Sequence, residues 1–256
     1  MNESRPRGPL RDKPLRYPGQ SLDEEIRRLQ WDIAGYFILA VVFIGLLVLE
    51  WWRWFRDVPP QPMAALFLAV IVVLISYLRI RQLERRCRGF VLGRDGERIV
   101  GQAIEELREK GFGIFHDIVG GDFNVDHVII SRHGIFSIET KTFTKPRKGE
   151  AKVNFDGERV TVLGKEPERN PVEQAIASAN WLRRDVLEKS TGKLFPVKPV
   201  IVFPGWWVDE THSSKRIWVL NPDRLSSRIS QEPQLLTEEE VHLIAFHLSR
   251  YVRGLN

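Results

Sequence analysis

The sequence predicts an α/β protein, with a mixed central sheet flanked by helices and two transmembrane helices ahead of it. Three observations lead there. Two apolar runs without a charge lie near the N-terminus of the 256-residue chain. From Asp95 onward, segments of helical and strand period follow one another as helix, three strands, helix, strand. Two of those strands are separated by a turn of only Arg132 and His133, which makes them a hairpin.

Residues 1–30 read as a basic arm. The first 20 residues, with Pro6, Pro9, Pro14 and Pro18 among charged side chains, cannot bury a core and are expected to be disordered. Arg5, Arg7, Arg11, Lys13 and Arg16 could touch lipid headgroups. Residues 33–49 then give 17 positions without a charge and residues 63–78 give 16, each near the lower limit for crossing hydrocarbon. Tyr36, the Trp51-Trp52-Trp54 cluster and Tyr77 lie at the ends, where an aromatic belt forms. No small-residue cleavage site follows the first run and the second comes at once, so a signal peptide is disfavoured. Residues 31–80 are therefore expected to form a membrane hairpin. Arg16, Arg27 and Arg28 precede it and Arg79, Arg81, Arg85, Arg86 and Arg88 follow it. The loop of residues 51–61, with Pro59-Pro60, offers only Arg53 and Arg56. This bias puts both termini in the cytoplasm.

A basic linker, 81–93, leads to a helix over 95–110 with Ile99, Val100, Ala103, Ile104 and Leu107 at helical spacing. Glu97, one turn before Val100, can point along the buried stripe toward the sheet; in a first turn it also suits the helix dipole. Gly111 and Gly113 end the helix, and 112–119 form the first strand. Segments 124–131 and 134–141, rich in β-branched residues, are the hairpin. A second hairpin is expected from 151–155 and 159–163, turning at Asp156-Gly157. Asn170-Pro171-Val172-Glu173 starts a helix to about Lys189, with Asn170 as N-cap, proline first and Glu173 returning to the cap. Residues 197–203 are a buried strand ended by Pro204-Gly205, and 217–220 add an edge strand. Thr237 to Glu240 is a capping box opening a last helix through about Tyr251. The domain spans 94–204, and 205–256 form an extension packed on it.

If Ser131 faces Gly134 across the turn, Asp126 stands opposite Glu139 with roughly 5 Å between their Cβ atoms. Period-two alternation puts Lys141 on the face of Glu139. Two opposed carboxylates repel unless a cation or a proton intervenes, and a divalent metal would resolve the conflict. Carboxylate oxygens suit Mg2+ or Mn2+, which bind through one or two acidic side chains plus substrate phosphate. Such a site can cut phosphodiesters, with Lys141 orienting the attacking water or stabilising developing charge. The plainer alternative is a solvated hairpin face on which Glu139 and Lys141 pair with each other.

Gly96-Glu97, Val125-Asp126-His127-Val128, Gly134-Ile135-Phe136, Ile138-Glu139-Thr140-Lys141 and Asn170-Pro171 with Gln174 together resemble the nuclease-related domain (NERD) family. That family is similar to the wider PD-(D/E)XK nucleases, which implies a restriction-endonuclease-like core. The resemblance covers roughly residues 94–204. It implies that Asp126 and Glu139 are metal ligands and Lys141 the catalytic lysine, with Glu97 and Gln174 as supporting site residues. Val125 stands where the superfamily name has proline.

The net charge of +5 is moderate, and 28 Lys and Arg against 25 Asp and Glu after Ile80 leave +3 for the cytoplasmic part. This is compatible with nucleic acid without demanding it. Lys145, Arg147, Lys148 and Lys152, just beyond Lys141, could hold substrate phosphates. Cys87 is the one cysteine, which excludes an internal disulfide and a cysteine zinc cluster. His127, on the strand face opposite Asp126, is expected to pack or be solvated rather than catalyse. Two functions compete: a membrane-tethered, metal-dependent nuclease acting on DNA before RNA, or a nucleic-acid-binding or protein-scaffolding module that keeps the fold without efficient turnover.

Overall fold

The computed structural model describes residues 15–56, 62–121, 123–146, 148–209, 214 and 216–254. It divides into two compact units, Ser21–Leu92 and a second built from Met1–Gln20 with Gly93–Asn256.

The first unit holds helix α1 (Gln20–Trp54) and most of helix α2 (Pro62–Glu105). At 1.5 Å per residue α1 is about 50 Å long, against a hydrocarbon core of roughly 30 Å. Both helices are long and apolar enough to cross a membrane, with a mean hydropathy of 2.5 in the most apolar stretch of each. Phe37, Val48, Phe67 and Leu78 are all more than half exposed. An apolar surface of this extent is a membrane or partner surface rather than a solvated one. Pro59 and Pro60 of the expected turn lie outside the described residues.

The linker expected over 81–93 is instead helix, because α2 runs unbroken from the second apolar run to Glu105. Arg, Gln, Leu and Glu between Leu78 and Asp95 favour helix, and isolated Gly89 and Gly93 cost only about 1 kcal/mol each. A 3-10 turn, Glu106–Lys110, finishes the helix, and Gly111 caps it at φ 82°. A second correction concerns the arm. Residues 1–14, including Arg5, Arg7, Arg11 and Lys13, lie outside the described residues, but 15–20 are ordered against the second unit and α1 already begins at Gln20.

In the second unit, β1 (Gly113–Val119), β2 (Asn124–Ser131), β3 (Gly134–Thr140), β6 (Val197–Val202) and β8 (Trp218–Leu220) form a mixed sheet in the order β1-β2-β3-β6-β8. The first three pair antiparallel; β6 and β8 join in parallel. The parallel step needs a crossover. It is supplied by α3 (Pro171–Trp181), a π-helical stretch Leu182–Glu188 and α4 (Lys189–Thr191). The inserted hairpin, β4 (Lys152–Phe155) with β5 (Val160–Val162), is joined by β7 (Trp207–Asp209) into a second small sheet. β7 was not foreseen, since three residues beside a turn give too short a period to read.

One sheet face packs Val100, Ile104 and Leu107 of α2 on Ile129, Phe136 and Ile138, closed by Leu225 and Ile229 of α5 (Leu225–Ser230). The other packs Leu182 and Val186 with Ile244 and Leu248 of α6 (Glu238–Gly254) on Phe115, Val128 and Ile130. The capping box of α6 is present: Glu240 N–H donates to Thr237 Oγ1, and Thr237 N–H to Glu240 Oε2. This is a three-layer α/β arrangement, and the central strand β3 is buried along its whole length.

Candidate active site

The β2–β3 register runs from Ser131↔Gly134 to His127↔Ile138. One further step sets Asp126 opposite Glu139, as the short turn dictates. The regular ladder stops there. Thr140 N–H donates to Asp126 Oδ2 at 2.7 Å, so a side chain takes a backbone donor. On the other side of β2, pairing passes from His116↔His127 to Ile118↔Val125, and Asp117 adopts a left-handed φ of 49°. Asp tolerates that region better than most residues, yet such strain persists only where the surroundings impose it.

Glu139 is 4% exposed and is the last residue but one of β3, which stays buried to its end at Thr140. Lys141 Nζ donates to Glu139 Oε1 at 2.7 Å and to Gln174 Oε1 at 2.8 Å. Gln174 is presented by the start of α3. Asn170 Oδ1 accepts Val172 N–H at 3.0 Å, and Pro171 follows the cap, which fixes the first turn. Glu97 comes from α2 and is 8% exposed. Its neighbour Gly96 abuts Thr142, whose Oγ1 occupies the place of a Cβ, so only glycine lets α2 lie this close to the exit of β3. The five residues singled out in the sequence thus converge from four elements, α2, β2, β3 with its exit, and α3.

Their electrostatics are those of a charge-poor pocket holding too many acids. Burial pushes Glu97 up to about 8, and repulsion from Asp117 and then Glu139 adds to it. Burial holds Asp126 well above the ordinary carboxylate range, reinforced by Glu139 and Glu97 and opposed by the Thr140 N–H. Burial also raises Glu139, against the charge and hydrogen bond of Lys141. One ammonium among three acids leaves a deficit of positive charge.

Among the described residues, no group of three or more His, Cys, Asp or Glu is arranged to hold a metal ion unaided. A cation here would have to rely on two carboxylates with water or phosphate completing its shell. Mg2+ and Mn2+ accept that, and mutually repelling, desolvated Asp126 and Glu139 are the donors such an ion relieves. The residues fit the group on this ground.

A cleft of about 750 Å3 opens beside Lys141, lined among others by Phe143, Val162, Trp206, Lys165 and Arg169. Lys165 and Arg169 were not foreseen as site residues, because Glu166 and Glu168 lie between them and the segment carries no net charge. Of the residues expected to hold phosphates, Lys145, Lys148 and Lys152 are not among those lining this cleft. Lys152 pairs with Asp209 at 2.9 Å, Lys145 sits over Gly205, Lys148 is exposed, and Arg147 lies outside the described residues.

His127 is fully buried rather than solvated, and it is not simply packed. His116 Nε2 lies 2.7 Å from Glu105 Oε1, and the Nδ1 atoms of His116 and His127 are 2.8 Å apart. Glu105 as acceptor assigns the protons in sequence: His116 donates from Nε2, and His127 donates from Nδ1 to His116. That leaves His127 Nε2 unprotonated, and it has no hydrogen-bond partner among the described residues. Burial holds both rings below their ordinary value, and therefore neutral.

Residues 92–204 match the family model described as the nuclease-related domain, NERD. No curated protein and no solved structure matches the chain significantly. The matched stretch contains Glu97, Asp126, Glu139, Lys141 and Gln174.

Proposed function

We propose, from the premise that residues 92–204 are a nuclease-related domain, that this chain is a membrane-tethered, metal-dependent nuclease hydrolysing phosphodiester bonds of DNA at the cytoplasmic face. The observation that carries the reading is Lys141 Nζ held between Glu139 Oε1 and Gln174 Oε1 at the mouth of the cleft, with Asp126 beside them. A lysine fixed at two points costs little further ordering when charge develops next to it.

Asp126 and Glu139 would hold Mg2+ or Mn2+. Bound there, the cation supplies positive charge to the scissile phosphate and acidity to the attacking water. Lys141 orients that water and stabilises charge growing on the phosphoryl oxygens. Gln174 keeps the ammonium aimed when Glu139 turns to the metal. Glu97, raised to about 8, can take or return a proton near neutral pH. Lys165 and Arg169 receive flanking phosphates, and the apolar floor at Phe143 and Trp206 suits a base or sugar.

The two exposed apolar helices support the tether, and the arginines around them support cytoplasmic termini. The test is cleavage of labelled DNA and RNA by the full-length protein in detergent, with Mg2+, with Mn2+ and with chelator. Metal-dependent cleavage by wild type that Asp126→Asn abolishes is the expected result. Binding without cleavage under every condition would leave a nucleic-acid-binding module instead.

A further inference from the structure

The segment immediately ahead of the first apolar helix reaches into the site. Arg16 is 8% exposed and Asp117 2%, and Arg16 Nε and Nη2 each lie 2.7 Å from Asp117 Oδ2. Asp117 Oδ1 also accepts from Asn124 Nδ2 at 3.3 Å. Three residues on, the Gly19 backbone draws the Glu97 carboxyl down against its burial. Gly19 has a φ of 74°, and the Arg94 side chain stands 2.9 Å from where a Cβ would be, so the contact requires glycine. Pro18 fills the space that Gly101 leaves by lacking a side chain, and Leu15 packs on the core beside Phe115 and Ile118. Gln20 then begins α1.

We propose that residues 15–19 are a working part of the site: a strap in which Arg16, Pro18 and Gly19 position Glu97, complete only when the chain ahead of the membrane hairpin is docked. Arg16 does this through Asp117. Without it, the buried Asp117 carboxylate would lose its Arg16 partner on a strained backbone, and its repulsion of Glu97, already one cause of the raised Glu97 carboxyl, would grow. Gly19 and Pro18 bear on α2 to either side of Glu97, at Arg94 and Gly101, and so hold the turn that carries it. Because the strap continues covalently into α1, a chain cut between the membrane hairpin and the domain loses a part of the site as well as its tether.

The kinetic arm of the test rests on the nuclease reading; a second arm does not. Full-length protein in detergent is compared as wild type, Arg16→Met and Arg16→Lys at a temperature where all three are folded. With Mn2+ and labelled DNA, kcat in Arg16→Met should fall roughly 10–100-fold with KM within about threefold, and Arg16→Lys should recover part of the loss. Hydrogen exchange needs no turnover: amides of 15–20 and 94–101 should lose protection in Arg16→Met. If Arg16→Met does not fold, Arg16→Met/Asp117→Asn, which removes both charges of the pair, should show the same loss. Wild-type protection of 94–101 in these variants overturns the strap. So does an unchanged kcat in a variant that has lost protection, which would make the strap a structural contact only. Lost protection in a protein whose wild type cleaves nothing sustains the strap and removes the nuclease reading.

Discussion

The Asp126 carboxylate accepts the backbone N–H of Thr140 at 2.7 Å, so the acid opposite Glu139 is held by the strand that carries Glu139. The distance between the two proposed metal ligands is thereby set by main chain rather than by side-chain packing. Asp126→Asn can keep this bond, because an amide oxygen also accepts, while removing the charge. The variant should fold with a melting temperature within a few degrees of wild type. Its affinity for Mn2+, measured by titration calorimetry on the full-length protein, should fall by roughly 10–100-fold. Equal affinity would place the metal elsewhere.

Lys141→Ala separates turnover from binding. The sequence suggests a strand lysine at an exposed edge with little weight in stability. The side chain is in fact only 22% exposed and bonded at both Glu139 and Gln174. Its loss should cost about 1–3 kcal/mol, seen in a denaturant titration, since charged hydrogen bonds contribute on that order. Cleavage should slow by about a hundredfold or more, as when one preorganised donor is removed. DNA affinity should persist through Lys165 and Arg169. Undiminished cleavage by the folded variant would sink the mechanism.

The hairpin register and the helix carrying Gln174 were legible because each is local. A two-residue turn fixes pairing for the whole of β2 and β3, and Asn170-Pro171 is a start signal for α3. Glu97 needed the family resemblance to be picked out, since an acid in a first helical turn has an ordinary explanation. Arg16 and Asp117 could not be found. They lie 101 residues apart, and a basic, proline-rich arm reads as disordered when its partner is unseen. The unbroken α2 was missed for a related reason: basic residues were weighed as topology signals and not as helix formers.

Reporter fusions test the membrane reading. A reporter joined after Asn256, and one inserted in the loop of residues 57–61, should report opposite sides, with the first cytoplasmic. Activity of the C-terminal fusion on the external side would reverse the orientation and remove the cytoplasmic substrate with it.

Gly96→Ala probes the approach of α2 to the β3 exit. The new methyl would meet Thr142 Oγ1, which is buried without a hydrogen-bond partner among the described residues. Overpacking of this kind costs about 1–3 kcal/mol. Thr142→Ala should restore most of that stability in the double variant, because the hydroxyl it removes makes no bond. Cleavage should follow the same pattern if Glu97 is carried by this helix contact. No rescue by Thr142→Ala would show that Gly96 serves something other than clearance.

The three site acids make stability depend on pH in the direction opposite to an ordinary salt-bridged carboxylate. Folding raises Glu97 from 4.5 to about 8, and raises Asp126 and Glu139 as well. Between the unfolded and folded values the native state keeps protons that the unfolded chain has lost. Its stabilisation is therefore full below the unfolded values and is lost as pH rises through the folded ones. His116 and His127 act the other way, since burial depresses them from 6.5 and their effect appears as pH falls below it. The window from 6.5 to about 8 thus isolates the acids. In chelator, the melting temperature should fall across that window, and Glu97→Gln should flatten the slope. Mg2+ or Mn2+ should oppose it, because a cation that binds ionised carboxylates stabilises the native state more as protons leave. A melting temperature that rises from pH 6.5 to 8 in chelator would mean the acids are already ionised in the folded protein. The electrostatic ground for placing a metal between Asp126 and Glu139 would then be gone.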